Sequence, residues 1–234
     1  MHGIEASLAE ARAIAEALDE QAPGARVAIC PPATLLSRMA RALAGSGVEV
    51  GGQDCHPAPQ GAFTGSVSAE MLADAGARLV ILGHSERRAD FRETSAHVAA
   101  KVEAALRAGL EPIVCVGETA AERKAGRTLD VVRRQLRRSL PSALAGAPFA
   151  LAYEPIWAIG SGVTPTSREI EDVHGAMRQA LQRRWPGALA PILYGGSVKP
   201  DNAAEILGLA EVGGALVGGA SLTAAQFLPI VRAA

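Results

Sequence analysis

The chain has 234 residues, of which 49% are hydrophobic and 20% charged, and its formal net charge is -1. This composition suits a compact globular protein, and the balance of 23 basic and 24 acidic residues leaves no basic block for nucleic acid or an anionic membrane. Cys30, Cys55 and Cys115 show no Cys-x-x-Cys spacing, so no disulfide framework or metal site is expected. With no targeting segment or membrane-length apolar run in the sequence, we expect a cytoplasmic protein.

The predicted elements begin with a helix and continue as alternating strands and helices. The first helix covers roughly residues 7–18, with Ser7 and Glu10 spaced as a capping box. Short runs rich in Val, Ile and Leu then alternate with segments of helical period, which is typical of buried parallel strands joined by helices. We predict seven strands, at residues 26–30, 48–51, 79–83, 112–116, 149–153, 192–194 and 215–218. Predicted helices include residues 34–44, 95–108, 129–139, 167–184 and 202–209.

This order of elements predicts one α/β domain over residues 1–234, since no linker divides the series. A run of this length without a second domain favours a closed parallel barrel, which has eight strands. Because a helix opens the series, we expect the first strand to be absent and a gap to lie between the strands at 26–30 and 215–218. An open doubly wound sheet is the alternative. The first strand-to-helix turn, however, has no glycine fingerprint, so no nicotinamide cofactor is expected.

Two predicted strands end in residues suited to chemistry. His84 and Glu86 follow the apolar run at 79–82, and Glu154 follows the run at 149–153. Catalytic groups of parallel barrels lie at the carboxyl ends of the strands, where a polar side chain can face a cleft. A histidine satisfied by packing remains the alternative for His84. A carboxylate between apolar groups loses solvation and becomes a stronger base, so Glu154 is a candidate general base.

The segment after Glu154 is unusually apolar for a loop. It consists of Pro155, Ile156, Trp157, Ala158 and Ile159, followed by Gly160, Ser161 and Gly162. A buried connector is one interpretation. We favour a lid that closes over a ligand and expels water, with Pro155 and the glycine stretch as hinges.

Glycine pairs follow the last two predicted strands. Gly195 and Gly196 precede Ser197, and Gly218 precedes Gly219. Glycine lets backbone N–H groups approach a phosphate, and phosphate sites in parallel barrels lie after the final two strands. Either pair alone is more often a turn, but together they predict a phosphate site.

Four motifs carry a family resemblance: Gly-His-Ser-Glu-Arg-Arg at 83–88, Ala-Tyr-Glu-Pro-Ile-Trp-Ala-Ile-Gly-Ser-Gly at 152–162, Tyr-Gly-Gly-Ser-Val at 194–198 and Gly-Ala-Phe-Thr-Gly at 61–65. In order and spacing, the chain resembles triosephosphate isomerase along nearly its whole length. The resemblance implies a (β/α)8 TIM barrel. It also implies the glycolytic and gluconeogenic interconversion of dihydroxyacetone phosphate and glyceraldehyde 3-phosphate through an enediolate, without metal or organic cofactor.

The resemblance also implies residue roles. Glu154 is the base, His84 the neutral electrophile and Glu86 a supporting residue. Phosphate is bound at Gly160, Ser197, Gly218 and Gly219. A homodimer forms through the loop at 53–66, where Phe63 lies at the loop tip and Thr64 reaches toward the partner's site.

Two departures from the family pattern affect these expectations. Ser66 stands where the family commonly has an acidic residue, which removes an expected ion pair to Arg87 across the dimer. Residues 1–3 match only the tail of a first-strand motif, Asn-x-Lys-Met followed by Gly, so the asparagine and lysine are missing. We therefore expect the chain as it stands to be close to inactive.

Two other functions are compatible with such a barrel. One is a non-catalytic phospho-ligand binder, although degeneration would be expected to erode more of the motifs. The other is a phosphosugar aldolase, whose Schiff base needs a lysine inside the barrel. The lysines of the chain are Lys101, Lys124 and Lys199, and none directly follows an apolar run.

Overall fold

The computed structural model describes residues 2–159 and 164–234. Its centre is a sheet of six parallel strands, each paired with the next in chain order. The strands are β1 (Val27–Ile29), β2 (Val48–Gly52), β3 (Leu79–Leu82), β4 (Glu111–Val116), β5 (Ala150–Tyr153) and β6 (Ile192–Tyr194). The order never reverses, whereas a doubly wound sheet reverses at a switch point. The α/β class and the sequential parallel sheet are therefore confirmed, and the doubly wound alternative is excluded.

Ten α-helices surround the sheet in the described part of the chain. They are α1 (Ser7–Glu20), α2 (Ala33–Ala42), α3 (Ala69–Asp74), α4 (Ser85–Asp90), α5 (Ser95–Arg107), α6 (Ala120–Lys124), α7 (Thr128–Ser139), α8 (Ser167–Arg184), α9 (Ala203–Leu207) and α10 (Ala224–Arg232). Thr166 and Glu169 form a capping box that starts α8, which explains why the predicted bounds of that helix agree with the structure. None of the described helices is long and apolar enough to cross a membrane.

The capping box predicted for α1 is wrong. Ser7 is the first helical residue and Ala6 occupies the cap position without a side-chain bond. The hydroxyl of Ser7 accepts a hydrogen bond from Ile4 N, and Glu10 instead accepts one from Ala224 N at 2.8 Å. The carboxylate of Glu10 thus ties α1 to the start of α10 rather than capping its own helix.

The predicted strand at 215–218 is also wrong. Tyr194 and Ala215 form a single β-bridge, and Leu216 N donates to Tyr194 O at 2.9 Å, but the ladder does not continue. Gly213 and Gly214 precede this segment, and Gly214 has a φ of 143°. On the other side of the segment, the described residues offer no strand to pair with. The other six predicted strands agree with the structure to within one residue at each end.

The helical layer closes where the sheet remains open. Helix α1 packs against both α10 and α2, and an exposed ion pair joins Glu5, just before α1, to Arg38 on α2. Within the described residues, β1 pairs only with β2. The sheet's inner face buries a small cluster that includes Cys115 and Ala152, whereas Ala28 and Leu216, next to the open side, are only partly buried. A helix therefore covers a position at which the described residues place no strand.

Candidate active site

His84 and Glu154 meet at the carboxyl ends of the strands. His84 follows the end of β3, Glu154 directly follows β5, and His84 Nε2 lies 2.7 Å from Glu154 Oε1. The Glu154 side chain is 2% exposed and the His84 side chain 28% exposed. The structure thus brings together the two predicted catalytic residues, and the imidazole lies on the solvent side of a buried carboxylate.

The backbone around Glu154 fixes its position. Ser85 N donates to Glu154 Oε2 at 2.8 Å, and Glu154 N donates to Val116 O at 2.8 Å. A Cβ at Gly117 would lie 1.7 Å from Glu154 O, so only glycine permits this approach. The amide of Gln135 holds Gly117 in place, because it hydrogen-bonds both N and O of that glycine at 2.8 and 2.9 Å.

The sequence did not predict the supporting roles of Gly117, Ser85 and Gln135. Gly117 directly follows the apolar run of β4, and this position at a strand end is the signal in the sequence that indicates it. Ser85 lies inside the motif that contains His84. Gln135, in contrast, comes from the middle of α7, and no local pattern indicates its contact.

The hydrogen bonds of His84 assign its tautomer. Glu86 N donates to His84 Nδ1 at 3.3 Å, so in the neutral ring Nδ1 is unprotonated and Nε2 carries the hydrogen that faces Glu154. Burial favours this neutral form. The hydrogen bond to Glu154 and the charges of Glu154 and Glu86 outweigh burial, however, and the pKa of His84 is raised above its ordinary value. The carboxylate of Glu86 is 77% exposed and 3.9 Å from Nδ1, so it acts on the imidazole only through its charge.

The described part of the predicted lid is packed rather than free. Trp157 Nε1 donates to Glu118 Oε1 at 2.8 Å, and the guanidinium of Arg123 lies 3.4 Å from the centre of the Trp157 ring. Ala158 is fully buried, while Ile159 is 36% exposed. The hinge predicted at Gly160, Ser161 and Gly162 lies outside the described residues, so closure of the segment remains a prediction.

Glu118 anchors the base of the predicted lid. Its Oε1 accepts from Trp157 and, at 3.2 Å, from the hydroxyl of Tyr153, and its side chain is buried. Burial raises the pKa of Glu118 against the effect of these hydrogen bonds. Two surface cavities of about 510 and 730 Å³ flank this region, and both are lined by Arg123, Trp157 and Glu169 rather than by His84. They therefore lie beside the lid base and not over the His84–Glu154 pair.

The predicted phosphate residues leave the sheet side by side. The bond between Leu216 and Tyr194 places the segment carrying Gly218 and Gly219 next to the segment carrying Ser197. Gly218 and Gly219 are exposed, and Cβ atoms at both positions would meet nothing within 4 Å. The backbone there is open to a ligand. Gly160, the remaining predicted phosphate residue, lies outside the described residues.

The predicted dimer loop presents an apolar side chain. Phe63 is 47% exposed although its ring lies 4.0 Å from that of His56, and Thr64 beside it is exposed. Arg87, near the loop, pairs with Asp54 at 2.9 Å in its own chain. Arg87 is thus occupied within the protomer.

The lysines do not enter the barrel. Lys101 lies on α5 and pairs with Asp54 and Glu93, Lys124 ends α6, and Lys199 lies in the loop after β6. This placement excludes a Schiff-base lysine of the aldolase type. Among residues 2–159 and 164–234, no group of three or more His, Cys, Asp or Glu side chains is arranged to bind a metal ion.

A buried histidine, His174, lies near the site, with its ring 5.9 Å from that of Tyr153. His174 on α8 is fully buried, its Nδ1 lies 3.1 Å from Glu211 O, and its Nε2 has no partner in the described structure. Burial lowers the pKa of His174 from 6.5 to about 4, although the bond to Glu211 opposes the shift. The unfolded chain therefore binds this proton first as the pH falls. The stability that neutral His174 contributes is present above pH 6.5 and is lost toward pH 4.

We expect His174 to make folding acid-sensitive. Between pH 7 and pH 5, the parent should lose about 2 kcal/mol more unfolding free energy than His174→Asn, which keeps a donor for Glu211 O. Urea unfolding at the two pH values measures this difference. His97→Asn, at an exposed position of α5, is the matched control and should behave as the parent. An equal acid loss in His174→Asn and the parent would contradict the assignment.

Comparison with known proteins gives a consistent result. The family model for triosephosphate isomerase matches residues 2–234. Triosephosphate isomerase from Caulobacter vibrioides is 58% identical, over 100% of this chain and 93% of the relative, and that from Afipia carboxidovorans is 57% identical, over 100% and 94%. A crystal structure of triosephosphate isomerase from Bartonella henselae superposes with a TM-score of 0.93 at 46% identity, covering 100% of this chain and 94% of the other.

Proposed function

The chain belongs to the triosephosphate isomerase family, and from that premise we propose that it interconverts dihydroxyacetone phosphate and glyceraldehyde 3-phosphate through Glu154 and His84. The observation that carries the proposal is the 2.7 Å contact between a buried carboxylate and an imidazole at the carboxyl ends of β3 and β5. A carboxylate that can move a carbon-bound proton and a donor that can polarise the adjacent carbonyl are what this reaction requires.

The hydrogen bonds suggest how the pair works. In the described state, the Nε2 hydrogen of His84 faces Glu154 Oε1. A substrate carbonyl oxygen takes that hydrogen bond and frees Oε1 to remove a proton from the neighbouring carbon, which gives the enediolate. The protonated Glu154 then returns the proton to the other carbon. His84 Nε2 gives a proton to the former carbonyl oxygen and recovers one from the former hydroxyl oxygen, which completes the isomerisation. Because Glu154 contributes to the raised pKa of His84, loss of their contact favours the neutral imidazole.

The phosphate end of the substrate would bind to the backbone. The adjacent segments at the half-buried Ser197 and the exposed Gly218 and Gly219 support this placement, and Gly160 would complete the site from the lid. The segment from Pro155 to Ile159 would then close over the substrate about the hinges predicted at Pro155 and at the glycine stretch, while the bond from Trp157 to Glu118 would hold its base.

The sheet opening supports one further parallel strand. Helix α1 closes the helical layer between α10 and α2, above the open position between β1 and Ala215. A Cβ at Gly3 would lie 2.8 Å from Pro32 Cδ, so Gly3 sits near the carboxyl end of β1. A parallel strand that ended just before Gly3 would run beside β1. It would bring the asparagine and lysine implied by the family resemblance to the rim that carries His84 and Glu154.

The site supports an enzyme, and the cysteines support a location in the cytoplasm. His84, Glu154 and the glycine segments occupy one rim, as an isomerase requires, and the three cysteines are free thiols, as in a reducing compartment. The test is ³¹P NMR of dihydroxyacetone phosphate incubated with a form that carries the additional strand. We expect glyceraldehyde 3-phosphate to appear, and to appear far more slowly with His84→Asn. Substrate that stays unchanged with this form would refute the function.

The dimer is a separate expectation. The exposed Phe63 at a projecting loop tip, with Thr64 beside it, supports a homodimer through residues 53–66, because large apolar groups at a loop tip commonly mark an interface. Sedimentation at micromolar concentration should show a dimer. Phe63→Ser should shift the protein toward monomer, whereas Leu189→Ser, at a 90% exposed leucine elsewhere, should not. A folded parent monomer would contradict the expectation.

A further inference from the structure

Arg88 on α4 donates hydrogen bonds to acceptors on four other parts of the fold. Its Nε donates to Gly83 O at 2.8 Å, and its Nη2 donates to Cys115 O at 2.9 Å and to Ser139 Oγ at 3.2 Å. Its Nη1 donates to Ser95 Oγ at 3.3 Å. Cys115 and Ser139 are fully buried, so the guanidinium reaches the interior. One side chain therefore joins the end of β3 to β4, α5 and α7.

These acceptors are all uncharged. Arg87, the preceding residue, pairs with the carboxylates of Asp54 and Glu93. Within residues 2–159 and 164–234, Arg88 has no such ion pair, and burial lowers its pKa. A buried cation without a carboxylate partner is costly. The negative charge of Glu154 offsets part of this cost from a distance.

The bond to Gly83 O lies next to the catalytic histidine. Gly83 has a φ of 67°, a left-handed conformation, and its carbonyl belongs to the peptide that continues into His84. A Cβ at Gly83 would lie 2.9 Å from Arg88 Nη2 and 2.7 Å from Val98. Cys115, the second backbone acceptor, lies two residues before Gly117, on which the carbonyl of Glu154 rests. Arg88 therefore holds the backbone that supports both members of the pair.

We propose that Arg88 is a positioning residue: its forked guanidinium fixes the Gly83–His84 peptide against β4, so that His84 Nε2 meets the carboxylate of Glu154. Lysine offers a single donor group and cannot reproduce this fork. The consequence for proton transfer rests on the proposed function. The contact itself does not, so it can be tested without substrate.

The experiment follows the His84 imidazole by NMR pH titration in the full chain, with the signal assigned through His84→Asn. The raised pKa of His84 depends on its contact with Glu154, while the charge of Glu86 also faces the ring. Arg88→Met and Arg88→Lys should therefore bring the pKa of His84 down toward its ordinary value. Ser139→Ala, which leaves both backbone bonds of Arg88, and Arg138→Met, at an exposed site on α7, should not. In the form that carries the additional strand, Arg88→Lys should lower kcat about a hundredfold with KM nearly unchanged.

The outcomes separate this inference from the proposed function. If Arg88→Met does not fold, Arg88→Lys decides. A folded Arg88 variant that lowers the unfolding temperature but leaves the His84 titration as in the parent overturns the inference, since the arginine is then only structural. Absence of isomerisation by the form that carries the additional strand, with Arg88 unchanged, counts against the proposed function alone, because the titration is read without substrate.

Discussion

Replacing Glu154 with glutamine should lower turnover by about a thousandfold or more in a form that carries the additional strand, while KM changes little. Glutamine can still accept the bond from Ser85 N, so the fold is kept, but it cannot take a proton from carbon. General bases contribute on the order of 10²- to 10⁴-fold, and the loss falls on the transition state rather than on phosphate binding. Steady-state rates in both directions measure the effect.

Glu103→Gln is the matched control for this substitution. Glu103 is an exposed glutamate on α5, away from the carboxyl rim of the sheet, so its change to glutamine should leave both kcat and KM as in the parent. If Glu154→Gln weakened substrate binding with kcat intact, Glu154 would be a binding or structural residue instead.

Adding the first strand should raise the isomerisation rate about a hundred- to a thousandfold, or more, over that of the chain as it stands. The extension is a strand of about six residues that ends in Asn-x-Lys just before the present amino end. Its lysine places a positive charge beside the substrate phosphate and the enediolate oxygen, and losing one such preorganised group typically costs about 10²- to 10³-fold. The strand would also pair with the edge of β1 that has no partner strand among the described residues, and it would fill space inside the sheet, so the unfolding temperature should rise.

A second extended form separates the two effects of the strand. With Asn-x-Met in place of Asn-x-Lys, the extended chain should gain stability but remain about as slow as the chain as it stands. Rates and thermal unfolding of the three forms are compared side by side. If the unextended chain matches the Asn-x-Lys form in rate, another cation serves the site and the role given to the lysine is wrong.

The sequence predicts the elements whose signals are local. Apolar runs locate six strands, because a strand buried on both faces is apolar along most of its length. The bounds of α8 follow from the capping box at Thr166. His84 and Glu154 are recognisable because each follows such a run, and carboxyl ends of parallel strands share one rim.

The features that the sequence does not predict depend on distant partners. The segment at Ala215 makes a single bridge, to Tyr194, and follows Gly213 and Gly214, so its apolar residues do not report how little of it pairs. Glu10 has the spacing of a capping residue, yet it bonds to Ala224 at the other end of the chain. The contact of Gln135 with Gly117 and the hydrogen bonds of Arg88 likewise join residues that only the folded chain brings together.

Deuterium incorporation tests the central claim, that Glu154 moves the proton with His84 beside it. The strand-extended form is incubated with dihydroxyacetone phosphate in D₂O, and the product is examined by NMR. Since a carboxylate exchanges its proton with solvent, the account predicts deuterium on the product carbon that receives the proton. It also predicts that Glu154→Gln forms almost no labelled product. Product that forms in Glu154→Gln at the parent's rate, with the same deuterium content, would contradict the account.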